Sequence, residues 1–169
     1  MTQRRKAREM AVQMLYQSDL GGASWREVVS SFDPIEVFAV NREEVGERPG
    51  GLQPPRPAVA RGEGVTVLEE AFTYARRLVQ GALDHREEID GLIRQQAENW
   101  RLERMPAVDR NILRLAVYEL LFEAEVPKLV VVDEAIELAK KYGSERSSQF
   151  INGLLDGLIK SLPLPGTLR

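Results

Sequence analysis

The 169-residue chain has no cysteine and a single histidine, His85. Without thiols there can be no disulfide, thiolate zinc site or cysteine nucleophile. One imidazole leaves little room for histidine acid–base catalysis. The lack of cysteine fits a reducing cytoplasm, which is the expected location. Long apolar runs are also missing. The run at 129–132 is four residues long, against the roughly 20 that a membrane helix needs. The basic N-terminus is not followed by the uninterrupted apolar stretch of a secretory signal. Nor is there a large excess of one charge: 23 Lys and Arg stand against 26 Asp and Glu, a formal net charge of −3. That balance excludes a general polyanion binder and leaves room only for a local nucleic-acid patch. No P-loop, glycine-rich dinucleotide fingerprint or zinc spacing occurs, so no cofactor and no metal are expected.

What is present is an uneven spread of that charge. Residues 1–10 hold Arg4, Arg5, Lys6 and Arg8 against Glu9, a local +3, so the other 159 residues carry −6. Residues 3–20 read as a helix, because Ala7, Met10, Ala11, Met14 and Leu15 share one side of a helical wheel. Thr2 is the expected N-cap, and Gly21-Gly22 the stop. Cations in the first turn oppose the helix dipole, which points to a purpose other than helix stability. Lys and Arg at fixed helical spacing suit phosphates. Tyr16 lies on the same side as Arg5 and Glu9, where a base could stack on its ring while Arg5 held the phosphate. The competing reading is a solvated terminus with Tyr16 packed against a neighbouring helix.

The rest of the chain is helical in pattern. A capping box at Ser24 and Glu27 opens a short helix over 24–32. Residues 33–64 then hold five of the nine prolines and five of the thirteen glycines. They are read as a long exposed loop with a helical turn at 35–40, joining parts of one fold. Thr66 and Glu69 form a second capping box before a helix carrying Leu68, Phe72, Ala75, Leu78, Val79, Ala82 and Leu83 on one side. After a polar break at 84–88, Ile89, Leu92, Ile93 and Trp100 continue as a further helix. Pro106 precedes a helix over 108–122, and Pro127 one over 131–142 with Gly143 as its stop. Ser144 or Ser147 caps a last helix, ended by Pro163 and Pro165. Asn152-Gly153 within it suggests close helix approach, since glycine there costs about 1 kcal/mol against alanine. The expectation is an all-α fold of about seven helices and no sheet, forming one compact domain over 1–169.

Three further groups carry candidate chemistry. Asp84, Glu87, Glu88 and Asp90 with His85 are strung along the polar break and read as a solvated turn rather than ligands converging on a metal. Tyr74, Arg76 and Arg77 lie on the outer side of the third helix. Lys140, Lys141, Arg146 and Phe150 flank the turn at Gly143. They form either a second basic corner for a ligand crossing from the first helix, or a helix C-terminus with favourable cations followed by a core phenylalanine.

Five stretches together resemble one known family. They are Arg4-Arg5-Lys6-Ala7-Arg8-Glu9 with Ala11-Val12-Gln13-Met14-Leu15-Tyr16, then Tyr74-Ala75-Arg76 with Leu78-Val79 and Gly81. Next come Trp100 and Leu102 with Val108-Asp109-Arg110 and the run 112–120, then the run 133–143, and last Phe150-Ile151-Asn152-Gly153-Leu154-Leu155-Asp156. In this order they are similar to the NusB family of transcription antitermination factors. The resemblance implies an all-helical fold of two small helical subdomains and a non-enzymatic RNA-binding protein. It would bind the boxA element of ribosomal-RNA leader transcripts with NusE, a small-subunit ribosomal protein, and serve the RNA polymerase antitermination complex. Carried over residue by residue, it implies RNA contacts at Arg4, Arg5, Lys6, Arg8, Tyr16, Tyr74, Lys140, Arg146 and Phe150, and a NusE surface on the helices between 66 and 122. Two departures stand out: the 33–64 stretch is longer and richer in Pro and Gly than the usual connection, and Arg146 adds a cation where many relatives have an acidic or small residue. The state of association is left open between a monomer and a homodimer that hides the RNA surface. Two other functions fit the same helical pattern: an RNA-binding accessory domain of the ribosomal-RNA methyltransferase type, or a purely protein-binding helical adaptor.

Overall fold

The structure, a computed structural model, describes residues 3–36, 60–98 and 100–162, with 60–66 described by backbone alone. Among these residues there are seven α-helices, one short 3₁₀ turn and no strand. The helices are α1 (Gln3–Gly21), α2 (Trp25–Ser31), α3 (Ala60–Asp84), α4 (Arg86–Gln96), α5 (Ala107–Phe122), α6 (Lys128–Tyr142) and α7 (Ser147–Ser161). The 3₁₀ turn is Leu102–Arg104.

The fold is organised around α5. Every residue from Asn111 to Leu120 is buried, as expected of a helix enclosed on all sides. Helices α1 and α3 pack on each other and on α5, with α2 against both. On the other side α6 and α7 pack on α5 and on each other, and α4 on α5 and α7. This gives the two helical subdomains with one continuous core. A polar network joins them. Asp19 near the end of α1 accepts from Arg110 at 2.6 and 2.8 Å and from Asn111 at 3.0 Å. Arg114 clasps Asp90 of α4 through two bonds of 2.8 and 3.0 Å. Burial pushes the Asp19 carboxyl up, but hydrogen bonds from Arg110 and Asn111 and the charge of Arg114 outweigh it and hold it below the ordinary range.

Several boundaries differ from expectation. The loop does not reach residue 64, because α3 begins at Ala60 and Thr66 lies inside it rather than capping it. A helical turn begins at 34–36, where the Asp33 carboxylate accepts from the Ile35 and Glu36 amides. The rest of the expected turn and loop, like Thr2, Pro163 and Pro165, lies outside the described residues. Trp100 is not in α4, which ends at Gln96. The N-cap of α7 is Arg146, not a serine; the Ser147 hydroxyl instead reaches back to accept from the Ser144 amide at 2.9 Å. The capping box of Ser24 and Glu27 is present, with both reciprocal bonds. Gly153 permits no close approach, since a Cβ there would meet nothing. That role falls to Gly81, where a Cβ would run into the Tyr118 ring, and to Gly157 against Gln96. Gly143 ends α6 at φ −93°, so left-handed backbone is not its reason; a Cβ would collide with Ser147.

Candidate nucleic-acid interface

Helix α1 is more deeply embedded than its charge suggests. Its apolar stripe of Ala7, Met10, Ala11, Met14 and Leu15 is buried as expected, but so are Arg8 and Glu9. Three helices surround its first half. Gln3 hydrogen-bonds Glu70 of α3. The Arg8 guanidinium makes a two-pronged pair with Glu119 of α5 at 2.8 and 3.0 Å. Arg5 makes another with Glu134 of α6 at 2.9 and 3.1 Å, and Glu9 accepts from Lys141 at 3.0 Å. The open strip left on α1 is Lys6, Gln13, Tyr16, Gln17 and Leu20.

The expected RNA contacts therefore divide. Arg8 must be corrected: at 4 % exposure and fully engaged with Glu119, it is an internal counter-charge and offers nothing to a phosphate. The side of the helix gave no signal, because Arg4 and Arg8 both lie on the side of Ala11 and Leu15 and only Arg8 is buried. Burial pushes the Glu119 carboxyl up even with Arg8 pulling the other way, so the pair holds a charge in a poorly solvated place. A cavity of about 10 Å³ beside this pair has room for about one water and no ligand. Arg4 is exposed and Lys6 half-exposed.

Arg4 meets Tyr74, with its guanidinium 5.6 Å from the ring centre. Arg77, one turn further along α3, lies 5.1 Å from the same ring and bonds Glu123 at 2.6 Å. The structure thus brings the first and third helices together at an aromatic ring under two cations, an arrangement worth about 0.5–1 kcal/mol per cation at exposed sites. Sequence reasoning had placed Arg77 on this side without assigning it a role; its spacing of three from Tyr74 was the available signal. The Tyr74 hydroxyl is buried with no partner among the described residues, and burial, followed by the charges of Glu119 and Glu123, pushes its pKa up.

Tyr16 is 37 % exposed and not sealed in a helix interface. It lies eleven residues beyond Arg5, about 16 Å along the axis. That axial span corresponds to several stacked nucleotides at about 3.4 Å each. Lys140 is exposed and sits 3.5 Å from Glu137. Lys141 covers the Tyr142 ring at 5.4 Å while bonding Glu9. Arg146 is exposed where α7 begins. Phe150 is half-buried and meets Trp100 edge-on at 5.9 Å, with Trp100 62 % exposed.

The acidic stretch does not converge. Asp90 turns inward to Arg114, while His85 turns out to stack on Phe122 at 4.1 Å. No group of three or more His, Asp or Glu among the described residues is placed to hold a metal. No helix of the described residues is long and apolar enough to cross a membrane.

These features define a class: an all-helical protein whose distinguishing surface is cationic and aromatic. The sequence model of the NusB family matches residues 61–160. The chain is 44 % identical over 160 residues to the transcription antitermination protein NusB of Symbiobacterium thermophilum, covering 94 % of this chain and 90 % of that one. It is 41 % identical over 155 residues to the NusB of Trichlorobacter lovleyi, covering 92 % and 89 %. Among solved structures it is similar to T. maritima NusB, with a TM-score of 0.64, 34 % identity and 95 % and 93 % of the two chains covered. It is also similar to a chain of a crystal structure of antitermination factors NusB and NusE in complex with dsRNA. That match has a TM-score of 0.66 and 28 % identity, covering 96 % and 99 %. The chain belongs to the NusB family.

Proposed function

We propose that this protein is an RNA-binding transcription antitermination factor that holds boxA RNA of ribosomal-RNA leader transcripts jointly with NusE and delivers it to the RNA polymerase antitermination complex. One observation carries the site: Arg4 of α1 and Arg77 of α3 converge on the ring of Tyr74. The similar chain solved with NusE and double-stranded RNA supports these two partner classes. Single-stranded RNA is the better match to this surface, since a duplex keeps its base faces stacked and unavailable to Tyr16 or Tyr74. In this reading Arg4, Arg5, Lys6, Lys140 and Arg146 are phosphate contacts, and Tyr16, Tyr74 and Phe150 are ring contacts. The protein acts as an adaptor in the cytoplasm, with no reaction of its own, and 1–169 serves as one RNA-binding domain. A homodimer that covers the RNA surface would compete with RNA. The relatives covered over about nine-tenths of their own length carry the antitermination name, which favours this reading over a methyltransferase accessory domain or a protein-only adaptor.

The test is an anisotropy titration of labelled boxA RNA, single-stranded and duplex, with and without NusE. Binding of the single strand, tightened by NusE, is the expected result. Binding to NusE with no measurable RNA affinity would favour the protein-only adaptor.

A further inference from the structure

The cations of the α1 surface fall into two groups. Arg4, Lys6 and Arg146 have no carboxylate of the described residues within the 4.0 Å of an ion pair. Arg5, Arg77 and Lys141 each have one: Glu134, Glu123 and Glu9. Of these, the Arg5 pair has a distinctive geometry. Both Nε and Nη2 donate to the two oxygens of one carboxylate, at 3.1 and 2.9 Å. This parallel fork is the arrangement with which a guanidinium takes a phosphate. The carboxylate is the more enclosed partner, with its side chain 15 % exposed against 42 % for Arg5. Glu134 is fixed on α6, so it is carried by a different element from the cation it holds.

We propose that Glu134 is an internal competitor for the phosphate-binding fork of Arg5, which RNA must displace and which thereby sets the strength and salt dependence of RNA binding. The inference rests on the first-helix reading above and adds a residue that no RNA touches. A phosphate arriving at Arg5 exchanges one oxyanion for another and leaves the Glu134 carboxylate next to the new anion. Arg5 then contributes little net attraction and releases little counterion, unlike Arg4 and Lys6, which no carboxylate of the described residues pairs. Removing the Glu134 charge takes away the oxyanion that the Arg5 fork now holds.

The experiment measures anisotropy of a labelled single-stranded boxA RNA against the whole chain, from about 50 to 200 mM salt. Glu134→Gln keeps the shape and removes the charge. It is expected to tighten binding several-fold and to steepen the log–log salt slope by about 0.7, the increment of one added contact to a single strand. Glu134→Ala guards against a residual amide bond to Arg5 and is expected to do the same. In the Glu134→Gln background, Arg5→Gln is expected to cancel the whole gain, a coupling that a double-mutant cycle reads directly. Unchanged or weaker RNA binding in both Glu134 variants, with melting temperatures at the native value, would overturn the inference and make Glu134 a positioning residue for Arg5 or a bystander. Arg4→Gln and Lys6→Gln, run in parallel, report on the first-helix reading itself. If they weaken RNA binding while the Glu134 variants do nothing, only the competitor role falls; if they too are silent, the first-helix site falls.

Discussion

Arg4 and Arg8 have the same side chain, four positions apart, and opposite surroundings. Arg4 lies over the Tyr74 ring at the surface, whereas Arg8 is enclosed with Glu119. Charge composition alone cannot separate them, because both count as +1 in the basic cluster. Wheel position cannot either, since both share the side of Ala11 and Leu15; depth along the helix separates them, with Arg4 in the exposed first turn and Arg8 one turn further in. This difference gives opposite predictions. Arg8→Ala leaves the Glu119 carboxylate buried without its partner, an expected cost of about 3–5 kcal/mol, read as a lower denaturant midpoint with an unchanged m-value. Arg4→Ala is expected to leave the midpoint within about 0.5 kcal/mol of native and to weaken RNA binding. If Arg8→Ala keeps native stability and loses RNA affinity, the assignment of Arg8 to the interior is wrong.

Asp109 also shows its environment only in the structure. It lies near the start of α5, buried, with one oxygen lacking a partner among the described residues. Burial pushes its carboxyl up, and a hydrogen bond from Ser147 offsets this only in part. A carboxyl raised in the folded state binds its proton more tightly there than when unfolded. Its contribution to stability is therefore full below the unfolded value and is lost as pH rises through the folded one. Asp109→Asn removes that loss. The melting-temperature difference, variant minus wild type, is expected to grow from about pH 3.5 upward through the acid range, the unfolded Asp value being about 3.9. A difference that stays flat across this range would contradict the account. In the sequence Asp109 reads only as an ordinary acidic residue in the first turn of a helix.

At the scale of elements, helix existence was legible and helix limits were less so. The apolar periods of α1, α3, α5, α6 and α7 and the prolines before α5 and α6 mark these helices plainly. The start of α3 was misread because Thr66 and Glu69 imitate a cap while the backbone is already helical from Ala60. Trp100 was misread because its spacing continues that of Ile93, although the chain leaves the helix after Gln96 and exposes the indole. Glycine showed the limit most clearly. Gly153, the residue that looked like a close-contact position, faces open space, while Gly81 lies under the Tyr118 ring. Which glycine meets a neighbour depends on how helices cross, which the period of one helix does not encode. Gly81→Ala is expected to destabilise by about 1–3 kcal/mol through overpacking, and Gly153→Ala to stabilise by up to about 1 kcal/mol. Paired thermal melts of the two variants check both signs. If Gly81→Ala is neutral, α3 and α5 are less closely packed than described.

At the scale of the whole molecule, the two subdomains are held together by α5 and by the ionic network of Asp19, Arg110, Arg114 and Asp90. Arg110 and Arg114 lie in a stretch that supports the family resemblance, and in this structure both face inward. Motif residues in this chain therefore serve the joint as well as the surface. The surface itself is assembled from α1, α3 and α6, whose contributions are separated by many residues in sequence. That explains why the basic cluster was visible in the sequence while the contact of Arg77 with the Tyr74 ring and the pairing of Glu134 with Arg5 were not.

The central claim is that the open end of α1 binds RNA phosphate. It is tested most directly by the salt dependence of boxA RNA affinity in the presence of NusE, comparing wild type with the double variant Arg4→Ala/Lys6→Ala. The account predicts weaker binding and a log–log salt slope shallower by about 1.4, two single-strand contacts at about 0.7 each. Coincident lines, with the same affinity and the same slope, would contradict it.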